Sequence, residues 1–185
     1  MARWAALALS GLLVLGGMYL GALRLTGNFH TVVPGQLYRS GQPSAAEIAN
    51  YNKEFGIKTI INLRGSDRGS GWYDAEVAEA NRLGVAHLDF PMSARRELTA
   101  PEVNRLIALM RAARKPILIH CQAGSDRTGL AAALYLVAIA NTSERVAEEQ
   151  LSIRFGHVSL PISPEYAMDR TFEALSPLLR SSHHQ

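Results

Sequence analysis

The feature that most constrains the fold is a ten-residue loop between two apolar segments. Residues 116–120 read Pro-Ile-Leu-Ile-His and predict a short buried strand. Residues 120–129 read His-Cys-Gln-Ala-Gly-Ser-Asp-Arg-Thr-Gly, and a very apolar stretch from Thr128 to about Ala140 predicts a buried helix. A strand that leads through a glycine-containing loop into a helix favours an α/β protein.

The rest of the chain predicts a regular alternation of strands and helices. Two capping boxes, Ser44–Glu47 and Thr99–Glu102, mark where two of the helices begin. The predicted strands are residues 37–39 (an edge strand), 57–63, 85–90 and 116–120, and the predicted helices are residues 44–55, 73–83, 99–113, 128–140, 143–154 and 164–180. This order predicts one α/β domain over residues 37–180, with a central, mostly parallel sheet flanked by helices.

The N-terminal segment is predicted to be a single transmembrane helix. Residues 4–23 carry no charge and no proline, and about 20 such residues match the thickness of the bilayer core. A cleaved secretory signal and a buried helix are the alternatives, but the ending Leu-Gly-Ala-Leu-Arg is a poor cleavage site. We expect an anchor over residues 1–24, a tether over 25–36 and a disordered tail over 181–185.

The flanking charges bear on the orientation of this anchor. Arg3 favours an N-terminus on the inside, whereas Arg24 and Arg39 favour the opposite orientation weakly. We therefore expect a single-pass inner-membrane protein that contacts the membrane through residues 4–23. The following domain is expected to lie on the periplasmic, extracytoplasmic side.

Cysteine count and charge exclude several classes of protein. The single cysteine, Cys121, cannot form an intrachain disulfide or a multi-cysteine zinc site. The formal net charge is +3, without a run of Lys or Arg. This balance favours anionic ligands in general and predicts no nucleic-acid partner. We expect neither a metal nor a cofactor.

The loop has the residues that a phosphate-binding loop needs. A helix that begins near Thr128 presents unpaired N–H groups and a partial positive charge to the loop. Gly124 and Gly129 permit an unusual backbone angle and close helix packing, and Arg127 can grip two phosphate oxygens at once. The predicted phosphate-binding residues are Gln122, Ala123, Gly124, Ser125, Asp126 and Arg127.

Cys121 is the predicted nucleophile. A thiol beside a helix N-terminus and an arginine loses its proton easily, and the thiolate can attack phosphorus to form a phosphocysteine. Arg127 would stabilise the transition-state charge, Thr128 would donate its hydroxyl to the thiolate, and His120 would brace the loop. The alternative is a purely structural role for Cys121, as a core cysteine before a charged helix start. That role does not explain the glycine, arginine and threonine around it.

The pattern His-Cys-x-x-Gly-x-x-Arg-Thr-Gly resembles the signature of the protein tyrosine and dual-specificity phosphatase superfamily. Residues 37–43, Leu-Tyr-Arg-Ser-Gly-Gln-Pro, and residues 59–64, Thr-Ile-Ile-Asn-Leu-Arg, are similar to the compact atypical dual-specificity phosphatases of bacteria, plants and fungi. The resemblance covers roughly residues 32 to 140. It implies a phosphoric monoester hydrolase that acts on a phosphorylated protein, through phosphotyrosine or phosphoserine/threonine, or on a small phosphorylated metabolite or lipid.

The general acid departs from the superfamily's pattern. The superfamily usually supplies an aspartate from the loop after the preceding strand, here residues 91–98, which contain none. Three carboxylates are candidates: Asp126 inside the loop, which we favour, then Glu97 and Asp89. Arg64, Arg95 and Arg96 lie on loops expected to flank the cleft and would suit a multiply charged substrate. The alternative for each of them is ordinary surface charge.

Two other functions remain open at this point. A rhodanese-like sulfurtransferase also places one cysteine in an anion-binding loop, although Arg127 and Thr128 at the start of an apolar helix argue against it. A non-catalytic phospho-binding module would need no general acid. The sequence names neither the physiological substrate nor the oligomeric state.

Overall fold

The computed structural model describes residues 1–181. The predicted tail, 181–185, lies outside the described residues except for Ser181, which ends the last helix. The strands are β1 His30–Val33, β2 Leu37–Ser40, β3 Thr59–Asn62, β4 Ala86–Asp89 and β5 Ile117–His120. The helices are α1 Ala2–Leu25, α2 Ala45–Phe55, α3 Gly71–Arg82, α4 Ala100–Ala112, α5 Asp126–Ala138, α6 Glu144–Glu148 and α7 Ala167–Ser181, with short 3₁₀ turns at Ile153–Phe155 and Pro164–Tyr166.

The five strands form one mixed sheet in the order β1-β2-β5-β3-β4. β1 pairs antiparallel with β2, and the other three pairings are parallel. β2 therefore lies inside the sheet rather than at its edge, because β1 forms from residues that the sequence predicted to be a tether. His120 is in register with Ser40 on one side and Asn62 on the other, so the carboxyl ends of these strands meet.

Local sequence signals set the helix boundaries. Both predicted capping boxes form: Ser44 caps α2 with Glu47, and Thr99 caps α4 with Glu102. Gly56 ends α2 with φ of 67°, a left-handed conformation that costs glycine little. The predicted helix over 143–154 is shorter than expected, because α6 ends at Glu148 and a 3₁₀ turn follows.

Apolar side chains cover both faces of the sheet. α2 and α3 pack on one face through Ile48 and Ala80, whereas α4, α5 and α7 pack on the other. Every residue of α5 from Thr128 to Ala138 is buried, which is typical of a helix that lies inside a core. The position of the loop before α5 is therefore fixed by the core.

The N-terminal segment is helical, but the prediction of a transmembrane helix is wrong. Within residues 1–181, the structure contains no helix of the length and apolarity that crossing a membrane requires. This finding overturns the predicted membrane contact through residues 4–23 and the predicted inner-membrane localisation. The last turns of α1 pack on the rest of the chain: the Tyr19 hydroxyl donates to the Arg154 carbonyl at 2.7 Å, and Leu20 lies beside Gly156.

Candidate active site

Cys121 lies buried directly after β5, at the entrance to the loop that leads into α5. The backbone N–H of Gly124 donates to its Sγ at 3.3 Å. Gly124 has φ of 74°, and a Cβ there would lie 2.6 Å from the backbone nitrogen of Gly41. Because only glycine satisfies both conditions, this residue fixes the curl of the loop around the sulfur atom.

The carbonyl groups of the loop all face outward. The Gln122 carbonyl accepts from the Gln42 N–H at 3.1 Å, and the Ala123 carbonyl accepts from the Asn28 amide at 3.0 Å. The next two carbonyls, of Gly124 and Ser125, accept from the guanidinium of Arg39 at 2.7 and 3.3 Å. With its carbonyls held from outside, the loop presents its N–H groups inward, together with the N-terminus of α5, as an anion-binding nest.

Arg39 is the buried brace of this arrangement. Its side chain is fully buried, and its second Nη donates to the backbone and side-chain oxygens of Gln150 at 2.9 and 2.8 Å. Its guanidinium lies 4.0 Å from the centre of the Phe155 ring. Burial lowers the pKa of Arg39 to about 9, although Cys121 and Asp126 act in the opposite direction. From its place on β2, Arg39 thus holds the loop.

The second loop glycine determines how closely α5 approaches its neighbour. A Cβ on Gly129 would lie 2.8 Å from the carbonyl oxygen of Gln150. Since Gln150 also accepts from Arg39, the contact between α5 and this segment helps to hold the loop. The side-chain oxygen of Thr128, one residue earlier, is buried without a hydrogen-bond partner among the described residues.

Two arginines from different elements lie near the loop. Arg127, in the first turn of α5, donates to the Met92 carbonyl at 3.5 Å. Arg64, just after β3, donates to Gln42 Oε1 at 2.8 Å, and its guanidinium lies 3.6 Å from the centre of the Trp72 ring. Burial and the nearby Arg127 lower the pKa of Arg64, while Cys121 opposes the shift. Arg64 thus lies within electrostatic range of both Arg127 and Cys121.

A buried carboxylate supports the start of the loop. Glu76, on α3, is fully buried, and its Oε1 is 2.8 Å from the Nε2 atoms of both His120 and His87. The Gln42 amide donates to Oε2 of the same carboxylate. Burial alone would raise the pKa of Glu76, but the hydrogen bonds from His120, His87 and Gln42 lower it to about 2. We name Glu76, His120 and His87 the Glu76 cluster.

A second cluster meets the loop at its other end. His157 is buried, with Nδ1 2.7 Å from Asp126 Oδ1 and Nε2 2.8 Å from Asp169 Oδ2. The hydroxyl groups of Ser125 and Ser159 donate to the outer oxygens of these two carboxylates at 3.1 and 2.6 Å. Burial disfavours the imidazolium, but the hydrogen bonds to Asp126 and Asp169 outweigh it and raise the pKa of His157. We name Asp126, His157 and Asp169 the His157 cluster.

The other two candidate acids are engaged elsewhere. Glu97 is exposed and pairs with Arg170 of α7. Asp89, at the end of β4, accepts from Asn62 at 2.9 Å and from the Tyr73 hydroxyl at 2.6 Å. The structure therefore places Arg64 near both Cys121 and Arg127. It holds Asp126, in the first turn of α5, against His157 and leaves Glu97 on the exposed surface. Over the described part of the chain no cluster of ligating side chains could hold a metal ion.

Several residues that shape the site were missed from the sequence. Asn28, Gln42, Glu76, His157 and Asp169 come from five different segments of the chain. Glu76 lies 44 residues from His120, and His157 lies 31 residues from Asp126. No local motif connects such pairs. The one usable signal was a polar residue, Arg39, inside an apolar strand.

Known phosphatases resemble this chain in sequence. Residues 26–169 match the family model described as "Swiss Army Knife protein, DSP-PTPase phosphatase domain". Dual specificity protein phosphatase TpbA of Pseudomonas aeruginosa strain PAO1 is 31% identical over 117 residues, which is 62% of this chain and 49% of that protein. The chain thus spans about half the length of the curated relatives it matches.

Solved structures share the fold. The crystal structure of P. aeruginosa TpbA superposes with a TM-score of 0.69 at 24% identity, covering 86% of this chain and 92% of that one. The core catalytic domain of the PP-IP phosphatase SIW14 from S. cerevisiae, in complex with citrate, gives a TM-score of 0.62 at 20% identity, covering 85% and 93%. At these identities the likeness establishes the α/β architecture alone.

Proposed function

Since this chain belongs to the DSP-PTPase phosphatase family, we propose that it hydrolyses phosphate monoesters through a phosphocysteine formed at Cys121. The family membership that residues 120–129 predicted is confirmed. The observation that carries the proposal is the loop itself. Its four carbonyl groups are held outward by Gln42, Asn28 and Arg39, so that its N–H groups surround the position in front of the buried sulfur atom.

The first step is displacement at phosphorus. The Cys121 thiolate attacks phosphorus in line, a sulfur–phosphorus bond forms, and the bond to the leaving oxygen breaks. The inward N–H groups and the Arg127 guanidinium stabilise the negative charge on the three equatorial oxygens of the transition state. In the second step water attacks phosphorus and Cys121 leaves as a thiolate. Thr128, whose buried hydroxyl has no partner among the described residues, donates to that sulfur.

Two relatives of known structure and the position of Arg64 bear on the substrate class. A TpbA variant has been solved in complex with pTyr, and SIW14 is named as a PP-IP phosphatase. We propose that the substrate is a phosphorylated protein side chain or a small phosphorylated metabolite or lipid. In this proposal Arg64, which is held over Trp72 and oriented by Gln42, supplies a second cation for the substrate. It supports a substrate that carries a negative charge near the scissile phosphate.

The test is hydrolysis of para-nitrophenyl phosphate by the full chain. Cys121→Ser should lower the rate by a factor on the order of 10³ or more, and Arg127→Lys should lower it by about 100-fold, because lysine lacks the planar two-pronged grip. Arg95→Lys, on an exposed arginine paired with Glu165, is the matched control and should retain the wild-type rate. Turnover that survives Cys121→Ser would overturn the proposal.

A second assay separates the alternatives. Thiosulfate:cyanide sulfur transfer without phosphate release would indicate a rhodanese-like enzyme. Binding of inorganic phosphate without any turnover would indicate a phospho-binding module.

To test Arg64, kcat/KM is compared between a monophosphorylated and a vicinal bisphosphorylated substrate. Arg64→Gln should reduce the preference for the bisphosphate by about 10-fold, whereas Arg96→Gln, on an exposed arginine paired with Glu102, should leave it unchanged.

A further inference from the structure

We propose that His157 and Asp169 are positioning residues that hold the proton which Asp126 delivers to the leaving oxygen. The inference rests on the proposed phosphatase function and deepens it. Asp126 stands next to Arg127 in the first turn of α5 and is partly exposed, whereas His157 is buried behind it. The cluster therefore links a buried imidazole to a partly exposed carboxylate of the loop.

The hydrogen-bond geometry sets where the proton lies. Each ring nitrogen of His157 faces a carboxylate oxygen, at 2.7 Å for Asp126 and 2.8 Å for Asp169. Carboxylates accept hydrogen bonds, so both nitrogens donate and the ring carries its second proton. The charged groups that face His157 are Asp126 from α5 and Asp169 from α7, and both favour the imidazolium. Arg39 lies within electrostatic range of Asp126 from the other side of the loop.

The hydrogen bond between Asp126 and His157 provides the route for the proton. The Nδ1–H of His157 donates to Asp126 Oδ1, so the pair shares one proton along a 2.7 Å hydrogen bond. Asp126 provides the exposed end of the pair and His157 provides the proton.

The proton balance is closed over the two chemical steps. As the phosphorus–oxygen bond breaks, its electron pair goes to the leaving oxygen, which takes the shared proton through Asp126. The pair is then left with a neutral His157 and an ionised Asp126. When water attacks the phosphocysteine, Asp126 accepts a proton from that water, and the proton returns to His157. Asp169 accepts from the Nε2–H of His157 and stabilises the imidazolium of the resting state.

The other carboxylates near the loop do not offer this arrangement. Glu97 pairs with Arg170 on the exposed surface. Asp89 lies outside the loop, at the end of β4, where its partners are Asn62 and the Tyr73 hydroxyl rather than an imidazole. Glu76 is fully buried behind His120, with its pKa lowered to about 2. Only Asp126 among these combines a place in the loop, partial exposure and a buried partner that can be protonated near neutral pH.

The test compares two substrates across pH with the full-length protein. Benzyl phosphate has a poor alkoxide leaving group that needs the proton, whereas para-nitrophenyl phosphate needs it little. His157→Asn keeps an N–H donor in the cluster but cannot titrate near neutral pH. It should lower kcat/KM for benzyl phosphate by about 100-fold and for para-nitrophenyl phosphate by less than about 5-fold. Asp169→Asn should move the alkaline limb of the benzyl phosphate profile to lower pH.

Two controls make the outcome decisive. Arg96→Gln, on an exposed arginine that pairs with Glu102, should keep the wild-type pH profile. Wild-type protein should show the alkaline limb more strongly for benzyl phosphate. An equal loss on both substrates, or profiles that superimpose in wild type, His157→Asn and Asp169→Asn, would overturn the inference. If wild-type protein has no Cys121-dependent turnover of either substrate, the proposed function fails instead.

Discussion

The two buried clusters that flank the loop are built from the same side-chain types in opposite proportions. In the Glu76 cluster one carboxylate serves two imidazoles, whereas in the His157 cluster one imidazole serves two carboxylates. The pKa of the central group is shifted in each cluster: that of Glu76 falls to about 2, and that of His157 rises. The first cluster therefore keeps a fixed charge near neutral pH, and the second keeps a proton that can be exchanged.

The largest effect is expected from removing the fixed charge. Glu76→Ala leaves His120, His87 and Gln42 without their buried acceptor, so we expect the free energy of unfolding to fall by about 3 kcal/mol or more. Urea unfolding at pH 7 measures it. Glu76→Gln, which keeps one acceptor oxygen, should lose less. A Glu76→Ala protein as stable as wild type would show that the cluster does not anchor the loop.

Acid unfolding should measure how much the ionised Glu76 carboxylate contributes to stability. Because the pKa of Glu76 is lowered from about 4.5 to about 2 on folding, its contribution is complete above pH 4.5 and is lost as the pH falls toward 2. The full contribution is about 3 kcal/mol, from 1.36 kcal/mol per pKa unit. Stability measured between pH 2 and 5 should decline less steeply for Glu76→Gln than for wild type. Parallel declines would contradict the prediction.

The His157 cluster should affect stability with the opposite pH dependence. The folded-state pKa of His157 is raised, so its charged hydrogen bonds stabilise fully below pH 6.5 and are lost as the pH rises through that raised value. Wild type should exceed His157→Asn by about 2 kcal/mol at pH 6 and by less at pH 9. Thermal unfolding of both proteins at the two pH values tests it, and a constant difference would count against a charged His157.

The smallest effect should come from Gln42, the side chain that connects the Glu76 cluster to Arg64. Gln42 donates to Glu76 and accepts from Arg64, so Gln42→Ala frees the Arg64 guanidinium to move. We expect KM for a bisphosphorylated substrate to rise about 3-fold while kcat stays nearly constant, which corresponds to less than about 1 kcal/mol. Steady-state kinetics would decide this. A fall in kcat with unchanged KM would instead place Gln42 in support of the loop backbone.

The sequence predicted those parts of the fold that depend on local signals. Capping boxes placed the starts of α2 and α4, and the apolar run after Thr128 predicted the buried helix α5. The tether prediction failed to anticipate β1, because four partly exposed residues, His30–Val33, form an edge strand through their pairing with β2. Apolarity alone also misled at the N-terminus, where the last turns of α1 contact the domain.

The residues of the candidate site were likewise predictable only where they lie close together in the sequence. Cys121, Arg127 and Asp126 lie in one contiguous motif, so they could be named from the sequence. Their partners could not, because Asp126 meets His157 and Asp169 only when α7 packs beside α5. The role of Glu97 depended on where the loop after β4 would lie, and the structure places that side chain against Arg170. Long-range pairing of charged groups leaves no periodic trace in a single sequence.

Asn28 has a consequence for anyone who shortens this chain. Its buried side-chain amide donates to the carbonyls of both Ala123 and Phe155, at 3.0 and 2.9 Å. Residue 28 lies well before Leu37, where the sequence alone would place the start of the domain. A fragment that begins after residue 28 would retain every residue of the phosphatase motif and yet lose the clamp on two loops. The minimal functional fragment therefore begins before Asn28.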